Sequence, residues 1–355
     1  MLKLAQKRTE GVREMEMTPR KQKILAAVVE SYIRTGEPVG SKNLMGELDF
    51  SVSSATIRNE MADLAELGYL EQPHTSAGRV PTTLGYRYYI DKLMNKMELN
   101  EADCKSITKT VSSGSGDPEQ LLEKAGEVIA KLTNCAAITT MPAGDKATVR
   151  RAEIVPVSNR TAMIVLLTSS GTLKSKACRS DMPITPHTVE RFYNVCAASF
   201  IGKPLEEIGT VMLQTLVASL GEYALEMSPF FVALADLAND ALSSDVLLEG
   251  QSNLFNHREL GSNVLEIMEL LRKGDPLAKL ISKGTQDVDI KIGTENEYKQ
   301  LSNSSVIISH YDINGERSGA LGIIGPTRLD YARLIPYMQF VSGLVGKILT
   351  ETLEE

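Results

Sequence analysis

Two side chains suited to hydrogen bonding with base edges, Arg58 and Asn59, are neighbours in a segment with helical periodicity. At about 100° per residue, Ile57, Met61 and Leu64 fall on one narrow apolar stripe that must pack inward. The opposite side carries small or polar residues: Ala55, Thr56, Asn59 and Ala62. Arginine and asparagine are the residues best shaped for bidentate contacts to guanine and adenine. The segment predicts a DNA-recognition helix, although on one helix alone a solvated face is an equally good interpretation.

The residues before this segment predict two further helices. Thr18, followed by a proline, is a typical helix start because a hydroxyl cap precedes proline at the first helical position. Gly36 ends that first helix. Ser41 is expected to cap a short second helix over 42–48. A turn then leads into the third helix, over 54–67, which carries Arg58.

A β-hairpin is expected directly after the third helix. A short strand over 69–72 and a return strand beginning at Val80 flank a polar tip, and Gly78 is expected to supply the positive φ that such a tip needs. Three helices followed by a hairpin are typical of a winged helix-turn-helix, whose hairpin contacts phosphates or the minor groove. An ordinary polar hairpin is the alternative.

Together the third helix and the hairpin supply the candidate DNA-binding residues. These are Lys42, Ser54, Thr56, Arg58, Asn59, His74, Thr75, Ser76 and Arg79. We expect Arg58 and Asn59 to read bases, while Ser54 and Thr56 fix the N-terminus of the helix on phosphate.

Three strings in this region resemble the HrcA family of bacterial repressors: Ser54–Met61, Gly68–Thr82 and Gly85–Tyr89. The similarity extends more weakly over the rest of the chain. The resemblance implies a winged helix-turn-helix joined to a GAF-like domain, which an inserted dimerising domain interrupts. It also implies a homodimer that binds double-stranded DNA at an inverted-repeat operator named CIRCE, upstream of chaperone operons. The GroEL chaperonin is implied to support that activity.

Beyond residue 97 the pattern predicts a multi-domain α+β protein, because strands are followed by helices and then by strands again. The expected strands are 136–141, 149–157, 162–168, 288–292, 306–311 and 319–324, with helices over 185–273 and 330–353. The stretch 112–118 predicts a flexible linker or an exposed loop. With the resemblance, the expected units are a leader (1–17), a winged helix-turn-helix (18–97), a linker and connecting helix (98–133), a GAF-like domain (134–202 and 257–355) and a mainly helical inserted dimerisation domain (203–256).

The charge is divided unevenly along the chain. The net charge is -7, but residues 1–97 carry 14 Lys and Arg against 12 Asp and Glu, and the remainder carries 24 against 33. A slightly basic head on an acidic body would orient the docking of DNA at the head. The opening residues lack the apolar block of a secretory signal, and no apolar run has the length of a membrane span. A cytoplasmic protein is expected.

Catalytic and cofactor motifs are not found in this sequence. The four cysteines and four histidines are scattered, and there is no phosphate-binding glycine loop, dinucleotide fingerprint or nucleophile elbow. We therefore expect neither an enzyme nor a metal or cofactor site. Two alternatives stay open: a regulator that senses a metabolite in the GAF-like domain, and a scaffold whose head binds protein. Salt dependence separates the scaffold from a DNA-binding head.

Overall fold

The computed structural model describes residues 17–74, 77–141, 147–242, 246–272, 280–281 and 286–354, and it is a mixed assembly of helices and antiparallel sheets. The N-terminal elements are α1 (Pro19–Thr35), α2 (Ser41–Leu44), α3 (Ser54–Glu66), β1 (Leu70–Glu71), β2 (Val80–Pro81) and α4 (Thr83–Tyr88). A π-helical turn over Tyr89–Leu93 continues α4. We call residues 17–97 the head.

Local sequence signals explain the bounds of the first helix. The Thr18 side chain accepts from the Lys21 amide, proline occupies the first turn, and Gly36 adopts a left-handed φ of 73° at the C-terminus. The second helix is shorter than expected and begins at Ser41, because Gly40 is its capping residue. Ser41 is instead buried, with its hydroxyl 3.0 Å from that of Ser54.

A five-stranded antiparallel sheet forms the centre of the molecule, in the order β7-β3-β10-β9-β8. Its strands are β3 (Ala136–Thr140), β7 (Val246–Glu249), β8 (Val288–Ile292), β9 (Ser304–Ile313) and β10 (Glu316–Pro326). Helices α5 (Glu101–Ser112), α6 (Pro118–Thr133) and α11 (Tyr331–Glu354) form the layer on one side of it, and α10 (Asn263–Leu271) packs on the other. One continuous apolar cluster joins the head to α5, α6, α11 and the sheet.

A second unit has its own sheet and its own core. It contains β4 (Val149–Ser158), β5 (Thr161–Thr168), β6 (Leu173–Arg179), α7 (Pro186–Ser199), α8 (Thr210–Ser219) and α9 (Ala224–Leu242). The core of this unit is separate from the clusters around the central sheet, and in it Phe231 stacks between Phe192 and Phe200 at centroid distances of 5.7 and 5.6 Å. We call residues 147–242 the second unit.

This division corrects the boundary expected at residue 203. Strands β4, β5 and β6 were assigned to the GAF-like part (134–202), but they pair only with one another and pack against α7 and α9. Conversely, β7 lies within a stretch expected to be helical and pairs with β3 of the central sheet. An apolar run in the sequence indicates that a strand is buried. It does not indicate which strand it pairs with, because that depends on contacts distant in sequence.

Residues 98–133, expected to be a linker and a connecting helix, form two helices. Helix α6 packs against β3, and α5 packs against α6 and α11, so both helices belong to the central core. The turn between them is tight, because a Cβ on Gly114 would lie 2.7 Å from the carbonyl oxygen of Gln120. Glycine at 114 therefore reflects a close backbone approach, whereas Ser113, Ser115 and Gly116 are exposed, in agreement with the exposed loop that was the alternative to a flexible linker.

The four cysteines differ in their burial. Cys135 and Cys196 are buried, and burial raises the pKa of the Cys196 thiol to about 12. Cys104 and Cys178 are half-buried, and all four thiols are free. Within the described ranges, no helix is long and apolar enough to cross a membrane.

Two glycines of α11 give a matched test of how closely this helix packs on the central sheet. A Cβ on Gly346 would lie 2.5 Å from the Asp312 carbonyl oxygen of β9, whereas a Cβ on Gly343 would meet nothing within 4 Å. Gly346→Ala is expected to lower the free energy of unfolding by about 1–3 kcal/mol through overpacking. Gly343→Ala is expected to raise it by about 0.5–1 kcal/mol, since alanine favours helix. Urea denaturation measures both, and shifts of the same sign would contradict the close approach.

Candidate nucleic-acid interface

Helix α3 has the two different sides that its sequence predicted. The Ser53 side chain caps the helix by accepting from the Thr56 amide at 3.1 Å. Ile57, Met61 and Leu64 are 0%, 3% and 0% exposed and pack in the head core, which confirms the predicted inward stripe. The helix is therefore fixed along one side, and its other side is free to contact a partner.

The outer side of α3 presents the two expected base-reading residues. Arg58 and Asn59 are exposed, as is Ala55, while Thr56 is half-buried. The Thr56 hydroxyl lies 2.9 Å from the Ser53 hydroxyl, and that of Ser54 faces Ser41. Both hydroxyls thus have partners that hold the start of α3, which gives them a structural role beside any contact to phosphate.

The hairpin after α3 is joined to the connection between α1 and α2. Leu70 pairs with Pro81 and Glu71 with Val80, and beyond this ribbon Arg79 makes an isolated antiparallel bridge with Val39. Both amide–carbonyl hydrogen bonds of that bridge are 2.9 Å long. Backbone hydrogen bonds therefore hold the hairpin both within its own ribbon and to the connection between α1 and α2.

Gly78 has a different role from the one expected. It does not adopt a positive φ, but a Cβ at this position would lie 2.4 Å from the Val39 carbonyl oxygen and 2.8 Å from the Pro38 carbonyl carbon. Glycine is required here because the strand passes close to the backbone of the α1–α2 connection. The expectation of a left-handed tip at Gly78 was wrong.

The cations of α1 neutralise the acidic residues beside α2 and α3. Lys21 lies 2.9 Å from Asp63, and Lys23 lies 2.6 Å from Asp49 and lowers the pKa of that carboxyl through its hydrogen bond. Arg34 pairs with Glu47, and Arg20 with Glu60.

Three other cations of the head are not neutralised by a carboxylate that the structure describes. Lys42, Arg58 and Arg79 form no ion pair with any residue that the structure describes. The surface formed by α2, α3 and the hairpin therefore carries local positive charge, which suits a polyanionic partner.

Two arginines attach the head to the central sheet. Arg87 donates to both carboxylate oxygens of Glu295, at 3.0 and 2.5 Å, and to the Ile290 carbonyl at 2.6 Å. Arg328 donates to the Ile33 carbonyl at 2.7 Å and to Glu259 at 2.8 Å. Because these contacts cross between the two parts, they fix the direction in which α3 faces.

The expected site residues that the structure describes are exposed or half-buried in the head. Arg58, Asn59 and Lys42 are exposed there, His74 is exposed at the hairpin, and Arg79 is half-buried. Thr75 and Ser76 lie outside the described residues. Sequence reasoning missed Ser53, Val39, Arg87 and Arg328. The serine before an amphipathic helix was a readable capping signal, whereas the other contacts depend on pairing distant in sequence.

A family model described as the HrcA protein C terminal domain matches residues 119–335. Proteins named heat-inducible transcription repressor HrcA cover nearly the whole chain. The one from Carboxydothermus hydrogenoformans is 33% identical over 332 residues, covering 93% of this chain and 97% of that protein. The one from Moorella thermoacetica is 34% identical over 346 residues, covering 96% and 99%.

One solved structure shares the fold over most of the chain. A crystal structure of a hypothetical protein at 2.2 Å resolution aligns with a TM-score of 0.62 at 24% identity, covering 95% of this chain and 100% of that one. At this identity the likeness concerns the fold alone.

The close approach at Gly78 predicts a position-specific effect of alanine. Gly78→Ala is expected to lower the free energy of unfolding by about 1–3 kcal/mol, because the new Cβ must push the hairpin away from Val39. Gly40→Ala is the matched control, since that residue is extended (φ -92°, ψ 148°) and a Cβ there meets nothing within 4 Å. Thermal unfolding measures stability, and hydrogen exchange at the Val39 and Arg79 amides measures the bridge. Unchanged exchange in Gly78→Ala would contradict the assignment.

Proposed function

The chain belongs to the HrcA family, and on that premise we propose that it is a heat-inducible transcription repressor that binds double-stranded DNA at heat-shock operons. The observation that carries the proposal is the exposed Arg58 and Asn59 pair on a helix whose other side is held in the core. In this proposal the head is a winged helix-turn-helix, α3 enters the major groove, and the hairpin contacts the adjacent backbone. The central sheet with its helices is the GAF-like domain.

The protein is proposed to act as a homodimer on the inverted-repeat operator CIRCE. Two-fold symmetry would set two copies of α3 in successive major grooves, about 34–36 Å apart or a multiple of that distance. We assign dimerisation to the second unit (147–242), which replaces the narrower segment 203–256 as the inserted domain. Helix α8 supports this assignment because it is rich in apolar residues and none of its residues is buried. Val211 is 77% exposed and Leu225, at the start of α9, is 83% exposed.

Repression would follow from steric exclusion of RNA polymerase at the promoter, and the GroEL chaperonin would support the active dimer. A partner raises the population of an active state only through its preference for that state. The separate core of the second unit supports this scheme, since the dimerising part can lose order independently of the head. When unfolded proteins occupy the chaperonin, the repressor loses its support and the operon opens.

The metabolite-sensing alternative gains no support from the interior of the central sheet. All residues of β3 are buried, and apolar clusters fill the space between the sheet and the helices on both of its sides. A filled core leaves no enclosed apolar pocket for a small ligand in this described part of the chain.

The role of Arg58 is tested by its effect on sequence preference. Arg58→Ala is expected to cost about 1–3 kcal/mol of operator binding and to relax the preference at one base position in each half-site. Lys105→Ala is the control of equal charge change, since Lys105 lies on α5, is 81% exposed and pairs with Glu101. Fluorescence anisotropy with a series of operator variants measures both effects. An operator preference fully retained in Arg58→Ala would refute the base-reading assignment.

The dimer assignment is tested by placing charge on the second unit. Val211→Glu and Leu225→Glu are each expected to shift the protein towards monomer, because a carboxylate cannot be buried in an apolar interface without a large penalty. Leu265→Glu is the control, since Leu265 lies on α10 beside the central sheet and is 65% exposed. Sedimentation equilibrium measures the association. A dimer that is unaffected by the first two changes and lost with the third would move the interface to the central domain.

A further inference from the structure

A cleft of about 810 Å³ lies between the head and the central sheet, and we call it the junction cleft. One wall comes from α1, the hairpin and α4, and the other from the segments that follow β8 and β10 and precede β9. The two walls come close where Gly293 passes Thr83, since a Cβ on this glycine would lie 2.7 Å from the threonine hydroxyl oxygen. The cleft therefore exists only while the head keeps this position on the sheet.

The hydroxyl of Tyr86 lines the junction cleft without a partner. Tyr86 is 2% exposed, and its hydroxyl forms no hydrogen bond with any residue that the structure describes. Burial raises the pKa of this group well above its usual range, so it stays a protonated donor. Its ring packs against that of Tyr331 at a centroid distance of 6.0 Å. A buried hydroxyl without a partner costs stability, and a ligand in the cleft would satisfy it.

Most of the charge that faces the junction cleft is already paired. Arg87 donates to both carboxylate oxygens of Glu295, and Glu259 accepts from Arg328. Among the charged side chains that line the cleft, Glu71 alone has no such pair in the described part of the chain. Since Glu71 is exposed, water and salt screen its charge. The cleft therefore suits a neutral ligand better than an ion.

Hydroxyl and amide groups supply much of the remaining polar surface, from both walls. They belong to Thr83, Thr294, Ser302, Asn303 and Thr327, whose side chains make no hydrogen bond with the residues that the structure describes. A hydroxyl group can both donate and accept, and an amide side chain can as well. Groups of this kind match a ligand that carries several hydroxyls, because each ligand hydroxyl can donate to one group and accept from another.

We propose that the junction cleft binds a small neutral polyhydroxylated molecule, a sugar or a polyol. Tyr86 would donate to one ligand hydroxyl, and Ser302 on the opposite wall would bond to another. The volume lies within the usual range for small-molecule sites, about 300–1,000 Å³. Because the ligand would contact both walls, it would stabilise the present position of the head on the sheet. Such a site would exist whether or not the head binds DNA.

Isothermal titration calorimetry of the full-length protein with D-glucose, myo-inositol and trehalose measures binding. At least one of these three probes is expected to bind saturably to the wild-type protein. Tyr86→Phe is expected to weaken that binding by about tenfold, because it removes one hydrogen bond to the ligand. Ser302→Ala, on the other wall, is expected to weaken it as well. Putrescine and citrate, a cation and an anion, are expected not to bind.

Two changes from tyrosine to phenylalanine give a matched measurement that needs no ligand. Tyr86→Phe is expected to raise the thermal midpoint, because it removes a buried hydroxyl that has no partner. Tyr89→Phe is expected to lower the midpoint, since Tyr89 is 3% exposed and its hydroxyl donates to Glu30 at 3.2 Å. Tyr89 is not among the residues that line the cleft, so Tyr89→Phe is expected to bind the probes as the wild-type protein does.

Three results would overturn the proposal: no saturable binding of any of the three probes, binding that Tyr86→Phe leaves unchanged, and a lower thermal midpoint of ligand-free Tyr86→Phe. The last result would show that the hydroxyl already has a partner, such as water. Binding of putrescine or citrate alone would contradict the assigned class of ligand. Sugars also stabilise proteins without specific binding, so calorimetry and not the thermal shift measures their binding.

Discussion

Everything that the head can do depends on its fixed attachment to the central sheet. In the proposed dimer, two copies of α3 would fit one inverted repeat only if each head kept the same angle to its own body. Arg87 and Arg328 supply directional contacts for this. Arg87 of the head donates to Glu295 and to a carbonyl of β8, and Arg328 after β10 donates to Glu259 and to a carbonyl of α1. Arg87 and Glu295 are 28% and 30% exposed, so solvent screens their attraction and its contribution to stability is modest. The continuous apolar cluster joins the two parts through non-directional burial, and the arginines add directional contacts.

The second unit has no such continuity with the head. Its core closes around Phe192, Phe200 and Phe231, apart from the cluster that joins the head to the sheet. In a dimer joined through this unit, loss of its order would separate two heads that each stay folded. Each head would then bind a half-site alone, without the high effective concentration that linkage provides. In the proposed dimer, a modest loss of stability in the second unit would thus produce a large loss of operator occupancy.

Sequence patterns predicted the elements that local periodicity determines. They did not predict features that depend on pairing between strands distant in sequence. The stripe of α3 and the span of β8 were predicted because each is determined within a few residues. Strand β6 was missed because Lys174 and Lys176 interrupt any apolar run, and most of its residues are exposed. The boundary at 203 differs from the structure because the alternating apolar residues of β5 do not reveal which sheet the strand joins. For the candidate site, residue types identified Arg58 and Asn59, but the bridge between Val39 and Arg79 has no local signal.

The distribution of charge explains why some cations of the head are paired and others are not. A chain of net charge -7 is repelled by DNA over most of its surface, so binding needs a place where positive charge stays available. In the head, Lys21, Lys23 and Arg34 of α1 pair with the acidic residues of the following elements. This arrangement pairs the cations of α1, whereas Lys42, Arg58 and Arg79 form no ion pair with the residues that the structure describes. The acidic body then contributes to selectivity, because a duplex that approaches from any other direction meets repulsion.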